Sequence, residues 1–229
     1  MNSASIMGTV RHGNFFVGTT LKRMVDIVGA SMMLLFLAVP LLLIAIAIKI
    51  ESPGPVFFRH PRVGKDGTLF IPWKFRTMVD RAIEKGSGYA ITENDRRITV
   101  FGRFLRESSL DEIPQVLNVL KGDMSLVGPR PSWPYQVDRY TESQRGRLRV
   151  PPGLTGLAAI RGRNSIPWEQ RIELDNWYVD HWSLWLDLKI LILTPWKVIT
   201  REGIYGEGGT NPDITPEAPP DKPQEKLKR

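Results

Sequence analysis

A helix-rich α+β fold anchored in a membrane is what the sequence predicts, and three observations carry that expectation. One apolar run, Ile27 to Ile50, contains a single charge, Lys49. Behind it, Val56 to Met78 alternates short apolar stretches with turn residues, the pattern of short paired strands. Farther on, Trp168 to Ile199 has helical spacing and is rich in aromatic residues. Four regions follow: a flexible leader at 1–20, a re-entrant membrane helix at 21–50, a globular domain at 51–205 with membrane-surface helices, and a disordered tail at 206–229.

The leader mixes Gly, Ser, Thr and Asn with no sustained period. The apolar run that follows would make about 36 Å of straight helix against a hydrocarbon core of about 30 Å, so by length it spans. Pro40 lies inside it, where a proline removes one amide donor and clashes with the carbonyl of Phe36, at a cost of about 3 kcal/mol. A helix broken there sends two arms partway into the bilayer and returns to the face it came from. Basic residues flank both ends, Lys22 and Arg23 before the run and Lys49, Arg59 and Arg62 after it. Such flanks stay on the cytoplasmic side, which agrees with a helix–break–helix. An ordinary spanning helix with a tolerated proline kink is the alternative, and length and charge leave both open.

Composition narrows the partners. There are no cysteines, which excludes disulfides and thiol-held metals and fits a reducing compartment. The apolar run starts too late and is too long for a secretory signal, and no small-x-small cleavage site follows it. A net charge of +7 suggests anionic partners: phosphate-bearing substrates, acidic headgroups or nucleic acid. Nucleic acid is the weak member, because the basic residues are dispersed among turns and no base-stacking motif occurs.

Glu51-Ser52-Pro53-Gly54-Pro55 makes a rigid exit turn. Strands are expected at Val56–Arg59 and Leu69–Phe75 around the turn Gly64–Gly67, then polar helix at Asp80–Gly88 and a short helix or loop at Asp95–Phe104. Ser108–Leu120 reads as a helix stopped by Gly122, and Met124–Val127 as a strand ending in Gly128-Pro129-Arg130-Pro131. Ser143–Arg149 is basic and helical, Pro151-Pro152-Gly153 turns, and Trp168–Ile199 is helical with a break at Pro195. Beside a membrane segment, Trp168, Trp177, Trp182, Trp185 and Trp196 fit the headgroup level on a surface helix, with a buried core helix as the alternative.

Asp111-Glu112 is the sharpest polar feature. Ser109-Leu110-Asp111-Glu112 fits a capping box, in which Ser109 caps the helix and Glu112 reaches back to its amide. Pro114 suits that poorly, since proline prefers the first helical position; a helix starting there leaves both carboxylates just ahead of it. Either way they lie at the positive end of a dipole, where a carboxylate can serve as a nucleophile toward phosphorus or a magnesium ligand. Such a site also needs cations. Lys74-Phe75-Arg76 would put Lys74 and Arg76 on one strand face, Arg106 precedes Asp111 closely, Arg130 is held between two prolines, and Arg161 and Arg163 lie in a glycine-interrupted loop. Each alone is ordinarily a solvated surface charge; gathered around a carboxylate pair they point to an anion site.

These residues together resemble the monotopic bacterial phosphoglycosyl transferases, the polyprenyl-phosphate sugar-1-phosphate transferases that begin surface-glycan assembly. The resemblance runs from Leu21 to about Gly203 and rests on Lys22-Arg23 with Asp26, Gly54-Pro55-Val56-Phe57-Phe58, Arg62-Val63-Gly64 and Lys74-Phe75-Arg76-Thr77-Met78. Its most specific stretch is Ser109 to Pro131, followed by Pro151, Gly153, Thr155-Gly156 and Gly162-Arg163-Asn164. The resemblance implies transfer of a sugar 1-phosphate from a UDP-sugar to polyprenyl phosphate with release of UMP, at the cytoplasmic face of the bacterial inner membrane. It implies Asp111 as the nucleophile of a covalent aspartyl-phosphosugar intermediate, and Glu112 as its partner associated with Mg2+. Lys74, Arg106, Arg130 and Arg163 match positions that hold phosphates or support the site, and Pro40 matches the proline that breaks the membrane helix. Val39 stands where the family often has Ser, so the break rests more on Pro40 itself. The chain is expected to be the small catalytic-core form, with direct attack by the lipid phosphate as the rival mechanism. No residue read here is a sugar-specific contact, and oligomeric state stays open.

Overall fold

The apolar run forms one helix, α1 (His12–Glu51), in a computed structural model that describes residues 12–84, 91–92, 94–204 and 206. Only 11% of its most apolar window is buried within the molecule, which separates it from the core helix of a soluble protein and associates the chain with a membrane. The helix begins at His12, inside the stretch read as a loose leader. Pro40 lies within its helical bounds. Losing one amide donor leaves the remaining hydrogen bonds on both sides intact, and an apolar surrounding strongly favours keeping them.

α1 is fastened to the globular part on both sides of an exposed stretch around Leu35 to Val39. At the amino end, Lys22 Nζ lies 2.6 Å from Asp187 Oδ2 and 3.0 Å from the Val127 carbonyl. Arg23 donates to the carbonyls of Val119 and Leu120 at 2.6 and 2.8 Å, and the buried Asp26 accepts from Ser125 Oγ and Leu126 N, both at 2.9 Å. At the carboxyl end, Ile44 and Ile48 bury themselves against Phe75 and Leu105. Between these anchors Leu35, Phe36 and Val39 are 77%, 71% and 67% exposed.

The exit turn leads into two nested antiparallel pairs, as the 56–78 pattern implies. β1 (Phe57–Phe58) pairs with β4 (Lys74–Phe75), and inside them β2 (Arg62–Val63) pairs with β3 (Leu69–Phe70) around the turn at Gly64. The single strand expected at Leu69–Phe75 is split by Ile71-Pro72-Trp73, since proline cannot donate to a ladder. A side chain fills the gap: buried Asn118 accepts from Trp73 N at 2.8 Å and donates to the Ile71 carbonyl at 3.0 Å.

Ala82–Glu84 is a 3-10 turn, while Lys85–Ala90 and the tail beyond Gly206, with the helix and disorder expected there, lie outside the described residues. α2 (Val100–Glu107) starts at Thr99, whose side chain accepts from Gly102 N. The helix expected over Ser108–Leu120 divides into a 3-10 stretch, Leu110–Gln115, that contains Pro114, and α3 (Val116–Lys121), which Gly122 ends at φ 100°. Leu126 and Val127 of β5 (Ser125–Val127) enter the main core, and β5 runs parallel to β6 (Gly153–Thr155). The short α4 (Pro134–Val137), the basic 3-10 stretch Gln144–Arg149, and α5 (Leu157–Arg161) complete the middle of the chain.

The aromatic-rich end forms α6 (Trp168–Asp180) and α7 (Leu184–Ile199). The break falls at His181–Ser183 and not at Pro195, which lies inside α7. Ser183 caps α7 by accepting from Leu186 N at 3.1 Å, a local start signal stronger than one missing amide. The main core joins Ala30 of α1 to Val116, Val119, Met124, Leu126, Tyr178 and Ile190, each aliphatic worth about 1.5–3 kcal/mol when fully buried. The tryptophans divide. Trp168 and Trp182 pack against core clusters, whereas Trp177, Trp185 and Trp196 are 48%, 73% and 64% exposed.

Candidate active site

Ser109 sets the site's geometry. Its backbone is left-handed, φ 57° and ψ 15°, a conformation that costs about 1 kcal/mol or more for a residue with a side chain. The expected capping box does not form, because that turn aims the Ser109 hydroxyl away from the helix, where it accepts from Arg163 Nη2 at 2.7 Å. Beyond the turn, the 3-10 stretch carries Asp111 and Glu112 inward, leaving Asp111 3% exposed.

Three cations meet this pair from distant parts of the chain. Lys74, on β4, places Nζ 2.9 Å from Asp111 Oδ2 and 2.8 Å from Glu112 Oε1, bridging the two carboxylates. Arg130 forms a two-pronged contact to Glu112, Nη2 to Oε1 at 2.9 Å and Nη1 to Oε2 at 3.2 Å. Burial pushes the Glu112 carboxyl up, but Arg130 and Lys74 outweigh it and hold the group well below its ordinary range. Arg163 completes the set. Burial, with repulsion from Arg130, lowers its guanidinium below the usual value, against the pull of Glu112 and Asp111. Its Nη1 is buried and has no hydrogen-bond partner among the described residues, a donor waiting for an acceptor.

All of these residues line one cavity of about 780 Å³. Its walls differ: Lys74, Asp111, Glu112, Arg130 and Arg163 on one part, and Met33, Leu126, Leu191 and Val198 on a part built from α1, β5 and α7. Such a space admits a molecule with a charged head and an apolar chain.

The description "Bacterial sugar transferase" belongs to the family whose pattern matches residues 17–201. The chain belongs to that family. An uncharacterized sugar transferase, EpsL, of Bacillus subtilis is 48% identical over 184 residues, covering 80% of this chain and 90% of the relative. The UDP-glucose:undecaprenyl-phosphate glucose-1-phosphate transferase of Caulobacter vibrioides is 45% identical over 193 residues, 80% of this chain and 72% of the relative. The undecaprenyl-phosphate galactose phosphotransferase of Salmonella typhimurium is 43% identical over 199 residues; the match covers 81% of this chain but 42% of that relative's length. This sugar transferase is therefore an enzyme.

Within the sugar transferase, two expected site residues remain. Arg106 lines the cavity with its Nε tied to Thr77 Oγ1 at 2.8 Å. Arg76 lines the cavity too, and its guanidinium donates to the Pro53 carbonyl at 2.5 Å and to the Ser52 carbonyl and hydroxyl at 2.8 and 3.0 Å. It thus also clamps the exit turn of α1.

The donor set fits a hard cation only in part from the protein. No group of three or more His, Cys, Asp or Glu suited to a metal occurs among the described residues. Asp111 and Glu112 nevertheless hold the Lys74 ammonium jointly, and magnesium commonly takes one or two carboxylates with substrate phosphates supplying the rest. Two supporting residues escaped the sequence reading, Asn118 and Thr77. Neither carries a spacing signal, although Thr77 does lie within the Lys74–Met78 motif.

Proposed function

We propose that the enzyme moves a sugar 1-phosphate from a UDP-sugar to polyprenyl phosphate, releasing UMP, as the first membrane step of surface-glycan assembly. The observation that carries this reading is the buried Asp111, ion-paired to Lys74 and flanked by Glu112, on a cavity with both a cationic and an apolar wall. A diphosphate suits the first wall and a polyprenyl chain the second.

In the first step an Asp111 carboxylate oxygen attacks the phosphorus bonded to the sugar. The bond from that phosphorus to the bridging oxygen breaks, UMP leaves with the electron pair, and an aspartyl phosphodiester remains. In the second step a phosphate oxygen of the lipid attacks the same phosphorus, and the bond to Asp111 breaks to restore the carboxylate and form the lipid diphosphate sugar. Lys74, Arg130 and Arg163 offset charge on the phosphoryl oxygens, the buried Nη1 of Arg163 finding its acceptor there. Magnesium bound by Glu112 and Asp111 would neutralise further diphosphate charge. Mass spectrometry of enzyme incubated with UDP-glucose or UDP-galactose alone tests the route. A sugar-phosphate adduct on Asp111 with one UMP per enzyme is expected; UMP appearing only when lipid acceptor is added would replace it with direct displacement.

The membrane reading rests on α1. A spanning helix puts its ends about 30 Å apart on opposite faces, yet Lys22, Asp26, Ile44 and Ile48 all touch one globular body. That favours a re-entrant segment centred near Pro40, with the globular body at the cytoplasmic face of the inner membrane. Trp185, Leu188, Ile192, Trp196 and Ile199 recur along α7 as an exposed apolar stripe suited to the lipid surface. Cysteines introduced near Thr20 and Gly64 should both escape labelling from outside the cell; labelling near Thr20 alone would mean a span.

A further inference from the structure

Arg130 poses a question of aim. Its side chain is 57% exposed, and an exposed guanidinium held in one two-pronged geometry loses considerable rotamer freedom. Its backbone, however, is gripped at three successive points. The Pro129 carbonyl accepts from Gly153 N at 2.8 Å, the Arg130 carbonyl from Arg147 Nη2 at 2.9 Å, and the Ser132 carbonyl from Val63 N at 2.9 Å. Only the central grip comes from a side chain.

Arg147 is itself deeply placed, 6% exposed, on the 3-10 stretch Gln144–Arg149. The same Nη2 meets Asp175 Oδ2 of α6 at 2.5 Å, and Nη1 donates to Tyr140 Oη at 2.8 Å. Tyr140 Oη in turn lies 2.7 Å from Ser132 Oγ. The guanidinium therefore holds the loop directly at Arg130 and, through Tyr140, at Ser132. Asp175, 2% exposed, supplies the opposing charge that lets a guanidinium sit at this depth.

We infer that Asp175 and Arg147 are positioning residues for the reaction, a buried clamp on the Pro129–Ser132 loop that fixes where the Arg130 fork points. The inference rests on the site reading in which Arg130 acts at Glu112. Both residues line the same cavity, but their bonds run to each other and to the Arg130 carbonyl and not to Asp111 or Glu112, so each acts through Arg130. An ion pair kept only to stabilise the fold has no reason to terminate on the carbonyl of the one arginine that chelates Glu112.

Double-mutant kinetics decide the matter, with Arg130→Lys as the second background because it keeps a charge but loses the fork. Asp175→Asn in the otherwise native enzyme should lower kcat for UDP-sugar turnover at least tenfold with donor KM changed less than twofold. In the Arg130→Lys background the same change should lower kcat less than twofold. Arg147→Lys should behave as Asp175→Asn does, and thermal melting of each purified variant reports whether it is folded. Should Asp175→Asn fail to fold, Arg147→Lys carries the same cycle. Equal losses in the two backgrounds would overturn the clamp and leave a purely structural pair. Native turnover in Arg130→Lys alone would instead remove Arg130 from the site, and the clamp's purpose with it.

Discussion

Glu112 and Asp175 are both carboxylates that face arginine, and their environments push them in opposite directions. Glu112 sits between Arg130 and Lys74 beside a cavity, and the two cations hold its carboxyl well below the ordinary range in spite of burial. Asp175 meets Arg147 in the interior, where burial dominates the pull of Arg147 and raises it to about 6. Both carboxylates line the same cavity, so the contrast lies in the balance of charge. A carboxylate bridged by two cations keeps its charge, and a phosphate can share those cations. A carboxylate whose burial outweighs its arginine gains less than desolvation costs, so its value is geometric. One cluster is arranged to exchange partners and the other to keep them.

The largest effect should come from removing the exchangeable cluster's nucleophile. Asp111→Asn keeps the shape, and turnover should fall about 10³-fold or more with loss of the donor-only UMP burst. Residual bursting at native amplitude would move the nucleophile elsewhere. Chelation comes next: turnover should drop about a hundredfold or more and return on adding magnesium, whereas full activity after exhaustive chelation would strip Glu112 of its metal role. Glu112→Gln should slow turnover roughly ten- to a hundredfold, leaving Asp111 as the modified residue in any trapped adduct.

The smallest effect separates the two clusters by the sign of their pH dependence. Asp175 is raised on folding, so between about pH 4 and 6 the folded state binds more protons than the unfolded one. Its contribution is full below the unfolded value and lost as pH rises through about 6, on the order of 3 kcal/mol. Glu112 is lowered, so its contribution is present above its unfolded value and lost as pH falls through its folded one. The melting temperature of native enzyme minus that of Asp175→Asn should rise as the pH falls from 7 to 4. Parallel curves would contradict the buried, proton-accepting state of Asp175.

Much of the local structure was legible because it depends on neighbours in sequence. The turn at Gly64, the stop at Gly122 and the strand ending at Val127 each follow from a residue with one preferred role. The gathering of Lys74, Arg130 and Arg163 around Asp111 and Glu112 was legible only as a set of residue types near turns, and the fold brings those three together. Ser109 looked like a cap because composition does not report a left-handed backbone. Asp175 and Arg147 were invisible: 28 positions apart, they meet only after α6 has packed, and Arg147 sits in a run whose basic character suggests solvent.

The fastening of Lys22 to Asp187 spans 165 positions, and that separation has a consequence for biogenesis. At about 5–20 residues per second, the ribosome needs roughly ten seconds or more to make Asp187 after Lys22 has emerged. The Tyr178 and Trp182 groups that hold Asp187, at 2.7 and 3.1 Å, arrive just as late. During that interval the amino end of α1 is an unneutralised Lys-Arg pair beside an apolar segment already seeking lipid. Acidic headgroups are anions of the kind such a pair attracts. The carboxylate that pairs with Lys22 in the folded protein arrives only after that interval.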